Sequence, residues 1–309
     1  MATRKKRDGF RNAFNACGVY VFVMTPFKTA RNRRGKFDVD LEGVERNIRY
    51  FAGVSGEKTM VLCGGAGEFS SLSPAEVKAI AAAAVAGAQG RCKIVSGIGG
   101  TNKTTVKMAE AAQEVGCDAV LVMPHEPVVK QGEKALWERH RAIAGAIDIG
   151  FLPFRAPRQT LSIDLVKRLA RIKNVVAIKE ESGAVDWVRT GRRVTDNTVP
   201  FITGGGENMV PYYYLAGAVG FTTGMANLTL PKSIALHDAA IAHRWDRAMA
   251  LRDEFEALTQ IRRDLGTPML KAGLEMMGLA GGPVRSTGAV LDVPGRRRVR
   301  RMLKEKGVL

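Results

Sequence analysis

Short apolar runs alternate with longer amphipathic stretches along most of this chain. Eight apolar runs stand out, at 19–24, 59–63, 93–96, 119–123, 149–154, 175–178, 200–203 and 218–222. They show little polar alternation, as expected of strands covered on both faces. Helical spacing of apolar residues fills the gaps, at 41–52, 74–88, 104–115, 133–146, 163–171, 184–194 and 209–215, with an eighth helix around 232–243. Ser73-Pro74-Ala75-Glu76 gives the second of these stretches a cap, a first-turn proline and an acid at the capping-box position. Ser162 and Thr101 are weaker caps.

Strand–helix alternation repeated eight times predicts parallel strands with right-handed crossovers. Closed on itself, that is an α/β fold, a (β/α)8 TIM barrel. An open doubly wound sheet would need a glycine-rich phosphate loop after the first strand, and Thr25-Pro26-Phe27 stands there instead. Helical patterns at 247–261, 268–277 and 296–304 predict a C-terminal helical appendage. The expected division is a basic N-terminal tail at 1–17, the barrel at 18–245 and C-terminal helices at 246–309.

The composition is that of an ordinary globular protein, 46% hydrophobic and 25% charged over 309 residues. No 18-residue apolar stretch exists, so no membrane helix is expected, and the N-terminus lacks the apolar core of a secretory signal. Cys17, Cys63, Cys92 and Cys117 show no CxxC spacing and read as reduced thiols of a cytoplasmic protein. The four histidines are scattered, so no metal site is expected. The net charge of +17 is concentrated at the two ends. Residues 1–36 carry ten Lys and Arg against one acid, and 285–309 carry eight against two, leaving +2 between them. No aromatic-plus-basic module accompanies Arg4–Arg7 or Arg296–Arg301, so solvated surface is favoured over nucleic-acid binding.

In such barrels chemistry sits where strands end at the C-terminal face. The sixth run ends in Lys179, after Val175-Val176-Ala177-Ile178. A lysine there loses hydration, which disfavours its ammonium form and frees an amine at neutral pH. Such an amine condenses with a ketone to form a Schiff base. The other strand ends bring Gly65 and Ala66, His125 and Glu126, Phe154 and Arg155 with Arg158 nearby, Gly204, and Thr222. One lysine, two arginines and glycine-lined walls suit a small anionic carbonyl compound.

With these motifs assembled, the chain resembles the dihydrodipicolinate synthase / N-acetylneuraminate lyase family of class I Schiff-base lyases over about residues 18–290. The resemblance rests on Val23-Met24-Thr25-Pro26-Phe27, on Gly64-Gly65-Ala66-Gly67-Glu68-Phe69-Ser70-Ser71-Leu72, on 119–124, on 175–183, on Asn227 and on Gly282-Pro283-Val284-Arg285. The second motif and Lys271-Ala272-Gly273-Leu274-Glu275 look most similar to the 5-dehydro-4-deoxyglucarate dehydratase branch. The resemblance implies that Lys179 condenses with pyruvate or a related 2-oxo acid, with no cofactor beyond the covalent Schiff base. It also implies a homodimer or homotetramer.

Three departures accompany it. Gly65 and Ala66 stand where the family offers threonines, and Phe154 where it places a tyrosine as general acid/base. Pro124-His125-Glu126-Pro127 stands where Pro-Pro-Tyr-Tyr is common. The hydroxyl relay is stripped, and such proton transfer is worth about a hundred- to ten-thousand-fold. Replacement acids in the sequence are His125 and Glu126, and Glu180 and Glu181 after the lysine, with His125 and Glu126 the expected catalytic pair. Arg155 or Arg158 is expected to hold the substrate's distal carboxylate, Glu68 to be structural, and Glu181 to cap or pair locally. The expected activity is an aldolase or dehydratase on a 2-oxo acid or sugar acid. The alternatives are a divergent member that binds a 2-oxo acid with lost or altered catalysis, and a polyanion-binding protein acting through its basic ends. Dihydrodipicolinate synthesis, which leans on the missing relay, is the weakest enzymatic option.

Overall fold

The structure, a computed structural model, describes residues 9–157 and 161–309. Its central strands are β1 Gly18–Phe22, β4 Lys58–Leu62, β5 Lys93–Ile98, β6 Ala119–Val122, β7 Gly150–Leu152, β8 Phe154–Arg155, β9 Ile178–Glu180, β10 Phe201–Thr203 and β11 Gly220–Thr223. All pair in parallel, in the order β7-β6-β5-β4-β1-β11-β10-β9-β8. Strands β7 and β8 are one barrel strand interrupted at Pro153, whose nitrogen has no proton for the ladder. A bridge from Phe151 to Val175 closes the ring, giving the eight-stranded barrel the alternation predicts.

Period two sorts the side chains. Tyr20, Phe22, Val61, Leu121, Leu152 and Phe154 fill the interior, while the alternate residues pack outward on the helices. Ser73 caps the helix Pro74–Ala88 with the reciprocal Glu76 bond of a capping box.

Residues 9–14, expected to belong to a basic tail, form a helical turn that closes the floor of the barrel. Phe14 and Ala16 join the interior cluster, and Arg11 donates to Ala170 O at 2.7 Å and Val175 O at 3.0 Å. Two aromatic residues among basic ones are thus anchors. The run Arg4–Arg7 lies outside the described residues.

An antiparallel hairpin, β2 Phe27–Arg31 with β3 Phe37–Val39, follows the first barrel strand and was not expected. Asn32 accepts from Arg34 N and Lys36 N to form its turn. Much of the N-terminal charge sits on this exposed hairpin. The C-terminal helices are Trp245–Glu254, Glu256–Leu265, Thr267–Met276 and Val293–Glu305. The last buries Val299, Met302 and Leu303, and turns its arginines outward, with Arg296 paired to Glu275 at 2.7 Å and Arg298 to Asp264 at 2.5 Å. No helix among the described residues is long and apolar enough to cross a membrane.

Candidate active site

Lys179 sits in β9, opposite Phe154 of β8 and Ile202 of β10. Its amide donates to Pro153 O at 2.9 Å, and the amide of Glu181 donates to Arg155 O at 2.9 Å. These two bonds hold the lysine strand in register on β8. Residues two apart share a face, so Lys179 and Glu181 both point into the barrel mouth.

The mouth holds a cavity of about 430 Å³, lined by Lys179 and Glu181 together with Phe22, Phe154, Gly65 and Ala66. Met123, Pro124, Gly205, Gly206 and the stretch Thr222–Gly224 complete its wall. Lys179 is 1% exposed. Its Nζ lies 3.8 Å from the centre of the Phe154 ring and 4.2 Å from that of Phe22. Ring faces replace part of the water that the ammonium has lost. Burial pushes the amine below the usual lysine range, opposed by the carboxylates of Glu181 and Glu180. Burial dominates, so the free amine is more accessible than on a surface lysine.

Glu181 forms a direct ion pair with Lys179 Nζ. Glu180 points the other way, toward the helices, and is fully buried. It accepts from Arg155 at 2.7 Å, from Ser182 N at 2.6 Å and Oγ at 2.7 Å, and from Ala184 N at 3.3 Å. That carboxylate organises the turn after β9 and leaves the reacting face to Glu181.

The predicted residues sort clearly by this geometry. Lys179, Gly65, Ala66, Phe154 and Thr222 line the cavity. Arg155 does not, because Phe154 faces inward and its neighbour must face outward. Its guanidinium is spent on Glu180 and Ser182 and lies 4.6 Å from the centre of the Trp187 ring. Arg158 lies outside the described residues. His125 and Glu126 also fall outside the cavity wall, which Pro124 supplies. His125 caps the short helix Glu126–Lys130 with its backbone, and Glu126 is exposed and pairs with Lys130 at 2.8 Å. Gly204 stands just behind the wall, where a Cβ would lie 2.2 Å from Glu181 Cγ. Glu181, one of the acids after the lysine, was expected to cap or pair locally rather than to act. Its i+2 spacing from Lys179 on one strand was the available signal.

A second buried lysine ties the C-terminal helices to this face. Lys271 lies in the helix Thr267–Met276 and donates to Thr25 O and Pro283 O, each at 2.9 Å. Its Nζ is also 2.8 Å from Glu68 Oε1, at an angle that makes this an ion pair rather than a hydrogen bond. Glu68 Oε2 accepts from Arg285 N at 2.8 Å, which fits the structural role expected of it. Asn227 fastens the first strand, accepting from Met24 N and donating to Phe22 O.

A closed (β/α)8 barrel with one dry lysine at its mouth defines a class of lyases that work through a lysine Schiff base. The model of the dihydrodipicolinate synthetase family matches residues 15–306, and the chain belongs to that family. A 4-hydroxy-tetrahydrodipicolinate synthase of Methanoculleus marisnigri is 28% identical over 94% of this chain and 99% of its own length. A probable 5-dehydro-4-deoxyglucarate dehydratase of Chelativorans sp. is 29% identical over 72% of this chain and 76% of its own. The crystal structure of dihydrodipicolinate synthase from Oceanobacillus iheyensis superposes with a TM-score of 0.84 at 25% identity, covering 98% of this chain and all of that one. The protein is an enzyme of the class I lyase type.

Proposed function

We propose that Lys179 attacks the ketone of pyruvate or a related 2-oxo acid and carries the reaction as a Schiff base. The observation that carries this is the Lys179 amine, 1% exposed and held between two aromatic rings at the floor of an open cavity. The free amine adds to C2, water leaves, and the protonated imine draws electrons from C3. Backbone around Gly65 and Ala66, where side chains are absent or small, lets the substrate carboxylate approach closely. Thr222, at the end of β11, supplies a hydroxyl to the same mouth.

A dehydratase or aldolase acting on a sugar-derived 2-oxo acid fits this cavity better than dihydrodipicolinate synthesis. Phe154 shapes the space beside the imine and brings no hydroxyl to it. The probable dehydratase named above supports that direction, and the synthase relatives bring the competing activity to the test. Family likeness also supports a homodimer or homotetramer in the cytoplasm, to be read by analytical ultracentrifugation.

The experiment is reduction with cyanoborohydride in the presence of a panel of 2-oxo acids, read by intact mass and peptide mapping. A single adduct on Lys179, absent from Lys179→Ala, is expected. An adduct on another lysine, or none, overturns the assignment. Turnover on 5-dehydro-4-deoxyglucarate against pyruvate plus aspartate semialdehyde then separates the two reactions.

A further inference from the structure

Loss of the usual hydroxyls leaves a question of chemistry. A Schiff-base lyase must remove water from a carbinolamine and move a proton at C3, and both steps need an acid/base within reach of the imine. Among the described residues that line the cavity, Lys179 and Glu181 alone carry titratable side chains. Phe22 and Phe154 bring rings, Gly65 and Ala66 bring backbone, and Thr222 brings an alcohol that does not ionise near neutrality, while the Thr223 hydroxyl is bonded to Glu207 at 2.8 Å.

Building on the Schiff-base reading above, we infer that Glu181 is the catalytic acid/base of this enzyme, replacing the tyrosine that Phe154 displaces. Four observations place it. Its carboxylate contacts Lys179 Nζ directly, the atom that becomes the imine nitrogen. Its backbone is fixed by the bond to Arg155 O, so the contact follows from the register of β9. Its side chain is 40% exposed, open to the cavity and to an incoming substrate. Gly204 leaves the space that its stem fills. The neighbouring Glu180 is committed to Arg155, Ser182 and Ala184, and His125 and Glu126 lie outside the cavity wall.

The proton accounting closes. The Glu181 carboxylate takes one proton from the Lys179 ammonium, and the free amine adds to C2 of the 2-oxo acid. A proton passes from nitrogen to the former carbonyl oxygen, giving a neutral carbinolamine. The Glu181 carboxylic acid protonates that hydroxyl, which leaves as water, and the protonated imine forms beside a carboxylate. Lysine ammonium and ketone have become protonated imine and water, with charge unchanged. The same carboxylate then accepts a proton from C3, giving the enamine, and returns it to C3 or to a leaving hydroxyl.

Pairing with Glu181 raises the amine's pKa, so removing Glu181 leaves more free amine, not less. A role in proton transfer and a role in merely tuning the lysine therefore predict opposite results. Glu181→Gln should still be labelled on Lys179 by pyruvate and cyanoborohydride at long incubation, but more slowly than wild type, because water loss from the carbinolamine has also lost its acid. Exchange of pyruvate C3 hydrogens in D2O, followed by NMR, should fall about a hundredfold or more. Glu181→Ala should lose exchange similarly and regain part of it in added formate, a small carboxylate that fits the vacated space. Exchange at the wild-type rate in Glu181→Gln overturns the assignment, as does a Glu181→Ala enzyme that formate does not rescue. Wild-type protein that is trapped by pyruvate but exchanges nothing also overturns it, while leaving the Lys179 reading intact. Wild-type protein that no 2-oxo acid labels removes both.

Discussion

Gly204→Ala tests the geometry of the site through a residue that never touches the substrate. A Cβ at this position would lie 2.2 Å from Glu181 Cγ and 2.8 Å from its Cβ and Cδ, far inside contact distance. Strand β10 cannot retreat, because Gly204 N donates to Glu180 O at 2.6 Å and the strand is paired on both sides. Glu181 must move instead. Its side chain is 40% exposed and can rotate into the mouth, so the cost falls near the low end of the overpacking range, about 1 kcal/mol. The lost ion pair adds little, because one partner is solvated. A melting temperature lower by about 1.5 °C is expected for a chain of this size. The carboxylate, however, leaves Lys179 Nζ, so C3 exchange of pyruvate should drop by about ten- to a hundredfold with trapping at Lys179 preserved. Gly145→Ala, on an exposed helical position with nothing within 4 Å, is the control and should be stabilising by about 0.5–1 kcal/mol. Differential scanning fluorimetry and the NMR exchange assay read both proteins. A Gly204→Ala enzyme with unchanged melting and wild-type exchange would refute the steric argument.

Lys271→Met removes two hydrogen bonds and leaves Glu68 without its cation, so a loss of about 3–5 kcal/mol is expected in urea unfolding; a loss below about 1 kcal/mol would show that the network contributes little. His140 is fully buried, and burial lowers its pKa to about 4 against about 6.5 in an unfolded chain. The unfolded state therefore binds the extra proton between those values, and stability falls as pH drops from about 6.5 toward 4, by roughly 3 kcal/mol in all. His140→Phe should flatten that part of the pH–stability curve, and an unaltered slope would assign the acid sensitivity elsewhere. Gly65→Ser places its Cβ where nothing lies within 4 Å, so unfolding free energy should stay within about 0.5 kcal/mol of wild type; a larger loss would mean that backbone conformation, not substrate access, requires the glycine.

All eight barrel strands were legible because each is covered on both faces and so reads as an apolar block. The β2–β3 hairpin was not, since its exposed residues, Lys28 to Arg31, carry no apolar pattern and pair only with a three-residue strand. The floor helix was hidden by charge, with Phe10 and Phe14 scattered among arginines and asparagines. At the site, Lys179 was legible from the run that precedes it. Arg155 was misplaced as a substrate ligand because a strand-end position says nothing about which face a side chain takes. Phe154 occupies the inward one, and strict alternation sends the guanidinium to Glu180. The same alternation, applied from Lys179, points to Glu181.

The floor of this barrel sets an order of events during synthesis. Arg11 bonds to Val175 O, 164 residues later, and β1 pairs with β11 at Gly18 and Gly220. At translation speeds of about 5–20 residues per second, Arg11 waits roughly 8–30 s for the strand that receives its side chain. Through that interval the apolar face of the floor helix and one edge of β1 stand without partners. Removing residues 9–17 would leave β9 to form on a barrel open at its base.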